Sequence, residues 1–367
     1  MGKLDETRLG NIQIMHRMAL TLCLFFASPA MASADCPEGQ RQIEHLAGTT
    51  CVVKQPQRIV TLHSLSLSIS VYELGGGDRL VGEFGWAPDG EELLVQPTTR
   101  YHTSLAYEDG RFEGIGWMDF EKIASLEPDL ILGRDWELDY FDQLSAIAPT
   151  VMIDVHTSIP EISAQVAEAI GERDAQKQLH ARFLDRAAEV KAALVMPQNI
   201  DVAFVTSIDF DDLLVAQRFH ALSGAMDHLG ITPAPAVVEF LEQVFGEGTR
   251  RHRAPISLER IEVIDADLLL LPYWVNSIDQ NARLDDFDHQ DGVSLVKDRM
   301  EDLIPGYCAF LKVCQAGQTI IFEGTPTYTP TYSGLMAGLD FIEDEIVGHD
   351  IKQIVLDLDF LGNFCAD

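Results

Sequence analysis

Three arginines and a histidine fill four consecutive positions, Arg250-Arg251-His252-Arg253, in a chain whose formal net charge is −32. A guanidinium keeps its charge and presents its donors in a fixed fork, so this cluster suits an oxygen-rich anion. Arg100-Tyr101-His102, Arg134 with Trp136, Trp117, Tyr273-Trp274 and Tyr328 supply further cationic and aromatic groups. Together they offer guanidinium donors for anionic oxygens and aromatic faces for apolar surface. Each group has a plainer reading beside this one. The arginine run could be solvated and paired with nearby acids. Aromatic residues after strands could simply cap a core, and His63 could be a satisfied polar turn.

Bond-making chemistry finds little support. There is no Gly-x-Ser-x-Gly elbow and no His-Glu-x-x-His. Gly75-Gly76-Gly77 closes a helix instead of joining a strand to a helix start, so phosphate-loop geometry is missing. The net charge repels nucleic acid and anionic membrane. His63, His102 and His252 could converge on Zn(II) or Mn(II), but the arginines would repel a bare cation, and no resident metal or cofactor is expected.

In parallel α/β folds, ligand-contacting loops follow the C-terminal ends of strands. Arg58 to Leu62 reads as a buried strand ending at His63-Ser64, followed by a helix to Leu74 and a strand from Arg79. Residues 119–132 (DFEKIASLEPDLIL) are echoed by 257–270 (SLERIEVIDADLLL). Each opens on a helix-capping residue, Asp119 or Ser257, carries an acid two positions on, and turns into an apolar strand. Two copies of one helix–strand unit imply two similar α/β lobes. Between them Ile159–Ile170 and Asp174–Leu194 read as helices, with Leu179, Phe183, Ala187, Val190 and Leu194 on one stripe of the second. Further elements are a helix over His220–Leu229 closed by Gly230, a strand at Ile320–Phe322 and a helix over Leu335–Val347. The expected layout is a cleaved leader (1–34), a first Rossmann-like lobe with a parallel sheet (35–157), a linking helical segment (158–196) and a second such lobe (197–367).

The leader expectation rests on an apolar run, residues 18–31, flanked by Arg17 and by Ala32-Ser33-Ala34, a small-x-small cleavage pattern. Export to an oxidising compartment makes Cys36 with Cys51, and Cys308 with Cys314, candidate disulfides. Cys365 is left over.

The chain resembles the periplasmic iron-siderophore and cobalamin binding proteins of ABC importers. The resemblance rests on Pro56-Gln57-Arg58-Ile59-Val60, on Leu74-Gly75-Gly76-Gly77-Asp78-Arg79-Leu80-Val81-Gly82, on residues 119–131, on Ile147-Ala148-Pro149-Thr150-Val151 and on residues 257–269. It covers residues 50–347. It implies two α/β lobes joined by one rigid helix, modest lobe closure, a periplasmic location and a ligand in the cleft between the lobes. It also implies that one acid on each lobe, here Glu121 and Glu259, docks on an inner-membrane permease. The ligand it implies is a small-molecule iron chelate bound by a monomer. The arginines favour an anionic ferric siderophore of catecholate or carboxylate type. Haem, with Tyr101, His102 or Tyr328 as axial ligand, and cobalamin are the alternatives within the same fold.

Overall fold

The structure is a computed structural model that describes residues 36–85, 113–194, 200–206, 213–249, 251–275 and 288–346. The leader, Arg100, Tyr101, His102, Arg250 and Cys365 lie outside the described residues.

The described residues open with a hairpin that precedes the strand expected at Arg58–Leu62. Strands β1 (Gln40–His45) and β2 (Gly48–Val53) pair antiparallel, from Gln40 opposite Val53 to His45 opposite Gly48. Cys36 is bridged to Cys51 across its base. The hairpin alternates weakly because it buries only Ile43 and Val52, which explains why its pattern is hard to read.

The first sheet takes the order β5-β4-β3-β6-β7, all parallel: β3 (Ile59–Thr61), β4 (Leu80–Phe84), β5 (Glu113–Ile115), β6 (Leu130–Arg134) and β7 (Thr150–Ile153). Its strands are nearly continuous apolar runs because both faces are covered. Ile59, Leu130, Leu132 and Val151 face one cluster, and Val60, Ile131 and Met152 face the other. Helix α1 (Ile69–Val71) continues on both sides as π-helical turns, Ser64–Ser68 and Tyr72–Gly76. Helices α2 (Phe120–Ser125) and α3 (Phe141–Ile147) cover the other face.

Two helices then lead out of this lobe. Helix α4 (Ile159–Ile170) starts with a Ser158–Glu161 capping box and ends at Gly171, whose φ of 83° is the left-handed conformation that glycine adopts freely. Its Ile162, Val166 and Ile170 belong to the first core. Helix α5 (Arg173–Ala193) is the bridge. Leu179 touches both cores, while Phe183, Ala187 and Val190 are buried in the second. At 1.5 Å per residue it spans roughly 30 Å.

The second sheet has the order β11-β9-β8-β12-β13, with β10 (Thr232–Pro233) beside β8. Its strands are β8 (Asp201–Thr206), β9 (Leu214–Ala216), β11 (Arg253–Pro255), β12 (Leu268–Tyr273) and β13 (Thr319–Glu323). It is mixed, not wholly parallel: β9 runs antiparallel to β8, and β11 antiparallel to β9. The connection from Thr206 to Leu214 is too short for a crossover and can only reverse the chain. Helices α6 (His220–Leu229), α7 (Pro235–Phe245), α8 (His289–Leu303), α9 (Tyr307–Phe310), α10 (Lys312–Gln315), α11 (Thr325–Tyr328) and α12 (Tyr332–Glu345) complete the lobe, and Cys308 is bridged to Cys314.

The sequence echo is a structural one. Strands β6 and β12 hold equivalent central places, each beside the first strand of its sheet. The acid before each strand ties it to that neighbour. Asp129 accepts from Gln57 N (2.8 Å) and Arg58 N (2.9 Å). Asp267 accepts from Asp201 N (3.2 Å) and returns its own N–H to Asp201 Oδ1 (2.8 Å). The guanidinium of Arg58 caps α2 through the carbonyls of Leu126 (3.1 Å) and Glu127 (3.0 Å). The helical halves differ. Asp119 caps α2 by accepting from Lys122 N at 2.9 Å, whereas Ser257 makes no capping bond and Leu258–Ile264 is a 3-10 helix. Asp129→Ala removes two acceptors from partly solvated N–H groups and is expected to cost about 1–2 kcal/mol, read as a lower urea midpoint with an unchanged slope.

Candidate functional site

Polar and aromatic side chains gather where the strands of the two sheets end. After β3, the ring of His63 caps the following turn, its Nδ1 2.7 Å from Ser66 Oγ and accepting from Ser66 N. Burial, then the charges of Arg134 and the second-lobe His220, lower its pKa to about 3, so the imidazole is neutral. That coupling brings the first strand end of one lobe within electrostatic reach of the other lobe.

Arg134 is the last residue of β6. Its N–H donates to Glu137 Oε2 (2.9 Å) and its Nε to Oε1 (3.4 Å). The guanidinium carbon lies 4.4 Å over the ring of Trp136, which is 65% exposed. Glu137 is fully buried, and desolvation raises its pKa against the bonds from Arg134. The carboxylate therefore both starts the next helical turn and aims the arginine. Trp117 follows β5, stands edge-on to Phe84 at 5.8 Å and is 48% exposed. The next residue, Met118, has φ of 52°. A methionine in that left-handed region carries local strain.

In the second lobe Phe219 anchors an aromatic wall. It packs on Phe204 (5.8 Å), Tyr328 (5.5 Å), Phe322 (5.8 Å) and Trp274 (6.0 Å), with Trp274 edge-on to Tyr328 at 5.9 Å. His220 comes next with φ of 33°, its ring 4.2 Å from Tyr328 and 5.9 Å from His252. His220 is exposed, yet desolvation by the protein around it, then His252 and Arg253, hold it toward the neutral form. His252 is lowered by burial, then by Arg253 and Arg218. Arg253 is exposed beside these rings and has no carboxylate partner among the described residues. Glu323, at the end of β13, ties the two loops that carry Trp274 and Tyr328. Its carboxylate accepts from Thr325 N (3.0 Å), Thr325 Oγ1 (2.6 Å) and Val275 N (3.5 Å).

The structure thus brings together His63, Arg134, Arg253, Trp274 and Tyr328 of the residues singled out in the sequence, with Trp117 at the first-lobe rim. Arg251 turns away, stacked on Phe245 at 4.8 Å. Tyr273 does not line the cleft. It is 1% exposed, with its hydroxyl 2.6 Å from His289 Nδ1. Alternation along β12 sends it into the core and its neighbour Trp274 outward. Phe219, His220, Glu137 and Glu323 were not singled out. Only Glu137 had a readable signal, as an acid three residues after a strand-ending Arg134, the spacing of a capping box. Among the described residues no three His, Cys, Asp or Glu side chains are arranged to hold a metal ion.

Residues 59–297 match the family described as periplasmic binding protein. The ferric enterobactin-binding periplasmic protein FepB of Escherichia coli is 30% identical over 196 residues, which are 52% of this chain. The chain spans 60% of that relative's length. Two solved structures share the fold. The FhuD protein from S. pseudintermedius gives a TM-score of 0.61 at 15% identity, over 84% of this chain and 99% of that one. Staphylococcus aureus SirA complexed with staphyloferrin B gives 0.60 at 20% identity, over 83% and 96%.

Burial pushes Glu323 up to about 7 from its ordinary 4.5. Folding therefore takes up a proton between those values, and stability falls as pH rises from about 4.5 to about 7, then levels. Glu323→Gln keeps an acceptor for Thr325 but removes the titration. Relative to the parent, it is expected to gain up to roughly 3 kcal/mol on going from about pH 4.5 to about pH 8, measured by urea unfolding at both.

Proposed function

The chain belongs to the periplasmic binding protein family, and we propose that it captures an anionic ferric siderophore in the cleft between its lobes and delivers it to an ABC importer. The observation that supports this reading is the placement of Arg134, Arg253, Trp274 and Tyr328 at or beside the strand ends of the two sheets, in a chain of net charge −32. Arg253 stands free of carboxylates among the described residues, and Arg134 is aimed by a buried acid and braced on Trp136. Guanidinium groups suit the oxygens of an iron chelate, and Trp274, Tyr328 and Trp117 suit its organic rim. The neutral histidines add donors or acceptors without adding charge.

The names of the relatives support the same reading. One is named for ferric enterobactin, and one is solved with staphyloferrin B. On this reading the iron arrives wrapped in its chelator and the protein contributes no metal ligand. Export by the leader delivers the chain to the periplasm. Glu121 and Glu259 are exposed in the first turns of their helices, where permease-docking acids would be reached.

Tryptophan quenching by a panel of ferric catecholate, hydroxamate and citrate complexes, hemin, cobalamin and bare Fe(III), Zn(II) and Mn(II) tests the proposal. A ferric chelate of net negative charge is expected to quench tightly, and Arg134→Ala with Arg253→Ala to weaken it at least about tenfold. Quenching by hemin or cobalamin alone would move the ligand. A response to bare metal alone would overturn the siderophore reading. Glu121→Lys with Glu259→Lys should abolish uptake by cells and leave that affinity unchanged.

A further inference from the structure

The π-helical turn Tyr72–Gly76 carries one acid, Glu73. Its carboxylate reaches across to the second lobe. Glu73 Oε1 accepts from Tyr332 N (3.1 Å) and Oε2 from Ser333 N (2.9 Å), the opening amides of α12. The next amide, Gly334 N, is taken by the capping residue Thr331 (3.3 Å). The first turn of α12 is therefore capped partly by its own lobe and partly by the other. A carboxylate also complements the positive end of the helix. Desolvation raises Glu73 to about 7, opposed by the Ser333 and Tyr332 amides and by Arg182 of α5.

What Glu73 holds is a rigid unit. Tyr332 is 1% exposed, and its hydroxyl lies 2.9 Å from His180 Nδ1 and 3.4 Å from Gln176 Nε2, both on α5. Further along, Arg186 of α5 pairs with Asp340 (2.9 Å) and with Glu343 of α12. Leu335, Leu339 and Ile342 of α12 share a core with Ala221, Leu222 and Ala225 of α6, the helix that begins at His220. Tyr328 precedes α12 by a short turn. Orientation of α12 therefore fixes the second-lobe wall of the cleft. On the first-lobe side, Glu73 sits on the helical stretch that begins just after His63.

We propose that Glu73 is a positioning residue that pins the first lobe to helix α12 of the second, so that the span of the cleft, and with it ligand affinity, depends on a carboxylate that does not touch the ligand. Helix α5 is the covalent tether between the lobes. One tether alone permits bending or rotation about it, and a second attachment off its axis removes that freedom. The affinity consequence rests on the proposed reading of the cleft, whereas the effect on lobe geometry does not.

The test compares Glu73→Ala, Glu73→Gln and a control, Val166→Ala, which trims the first-lobe core in α4 without removing a hydrogen bond to α12. Glutamine has one acceptor oxygen for two amides and should act as a partial loss. Spin labels at Asp142→Cys and Asp298→Cys, exposed positions on the two lobes, in a Cys365→Ser background, report the interlobe distance without ligand. The parent and Val166→Ala should give one narrow distribution, and Glu73→Ala a broad or displaced one. If the alanine variant does not fold, the glutamine variant carries the comparison. Affinity for the ferric catecholate complex should fall on the order of tenfold in Glu73→Ala, less in Glu73→Gln, and stay unchanged in Val166→Ala. An unchanged distance distribution in the Glu73 variants, or an equal change in Val166→Ala, overturns the proposal. If no chelate binds the parent, the ligand reading fails, and the distance measurement still decides the role of Glu73.

Discussion

A strand buried on both faces has no surface left for function except its ends, and this constraint shapes the molecule. The runs Ile59–Thr61, Leu130–Leu132, Val202–Val205 and Leu268–Leu271 are all buried. Their side chains fill cores above and below each sheet, so a polar group within them needs a buried partner, as Thr61 finds in Ser68 Oγ at 2.7 Å. His63, Arg134, Trp274 and Glu323 occur at the first positions where the chain leaves a sheet. Because each sheet is parallel through its centre, those exits share one edge. Two such edges facing one another make a cleft, with each wall built on rigid strands.

Electrostatics then decides what that cleft can hold. Arginines inserted into so acidic a chain would normally be neutralised by surface acids, as Arg218 is by Asp227 and Arg173 by Glu168. Arg134 instead faces a buried acid. Taking Glu137 out of water is costly, and the return is orientation: one carboxylate fixes the backbone of Arg134 and lies against its Nε, leaving the rest of the guanidinium fork braced on Trp136. The nearby histidines stay neutral because burial and the surrounding cations oppose protonation. The charge at the strand ends therefore sits on the arginine side chains.

The residues that made the lobes legible in the sequence are mostly structural. Asp129 recurs in the motif because two amides of the neighbouring strand depend on it, and Arg58 because it caps α2. These are local or short-range ties, so they leave a pattern in the chain. Gly75 and Gly171 were readable for the same reason, since a positive φ after a helix selects glycine. Cleft residues leave a weaker trace. Tyr273 and Trp274 look equivalent in sequence, and only the phase of the strand separates core from cleft. His220 takes a positive φ that its residue type does not announce. The reversal at β9 was hidden because three residues carry too little alternation to mark a strand. Glu73 and Ser333 lie 260 positions apart, and no local pattern can join them.

Long-range ties of that last kind decide how much of the binding energy survives as affinity. Two lobes free to move would have to be ordered when a ligand bridged them, and that cost would be subtracted from every arginine and aromatic contact. A helix whose stripe is buried in the second core already restricts twisting. Capping α12 from the opposite lobe restricts bending as well. It does so with two hydrogen bonds that satisfy amides the helix would leave open in any case. The rigidity of the cleft is thus built from a requirement of helix termini, met by a residue of the other lobe, and contributes to binding before any ligand arrives.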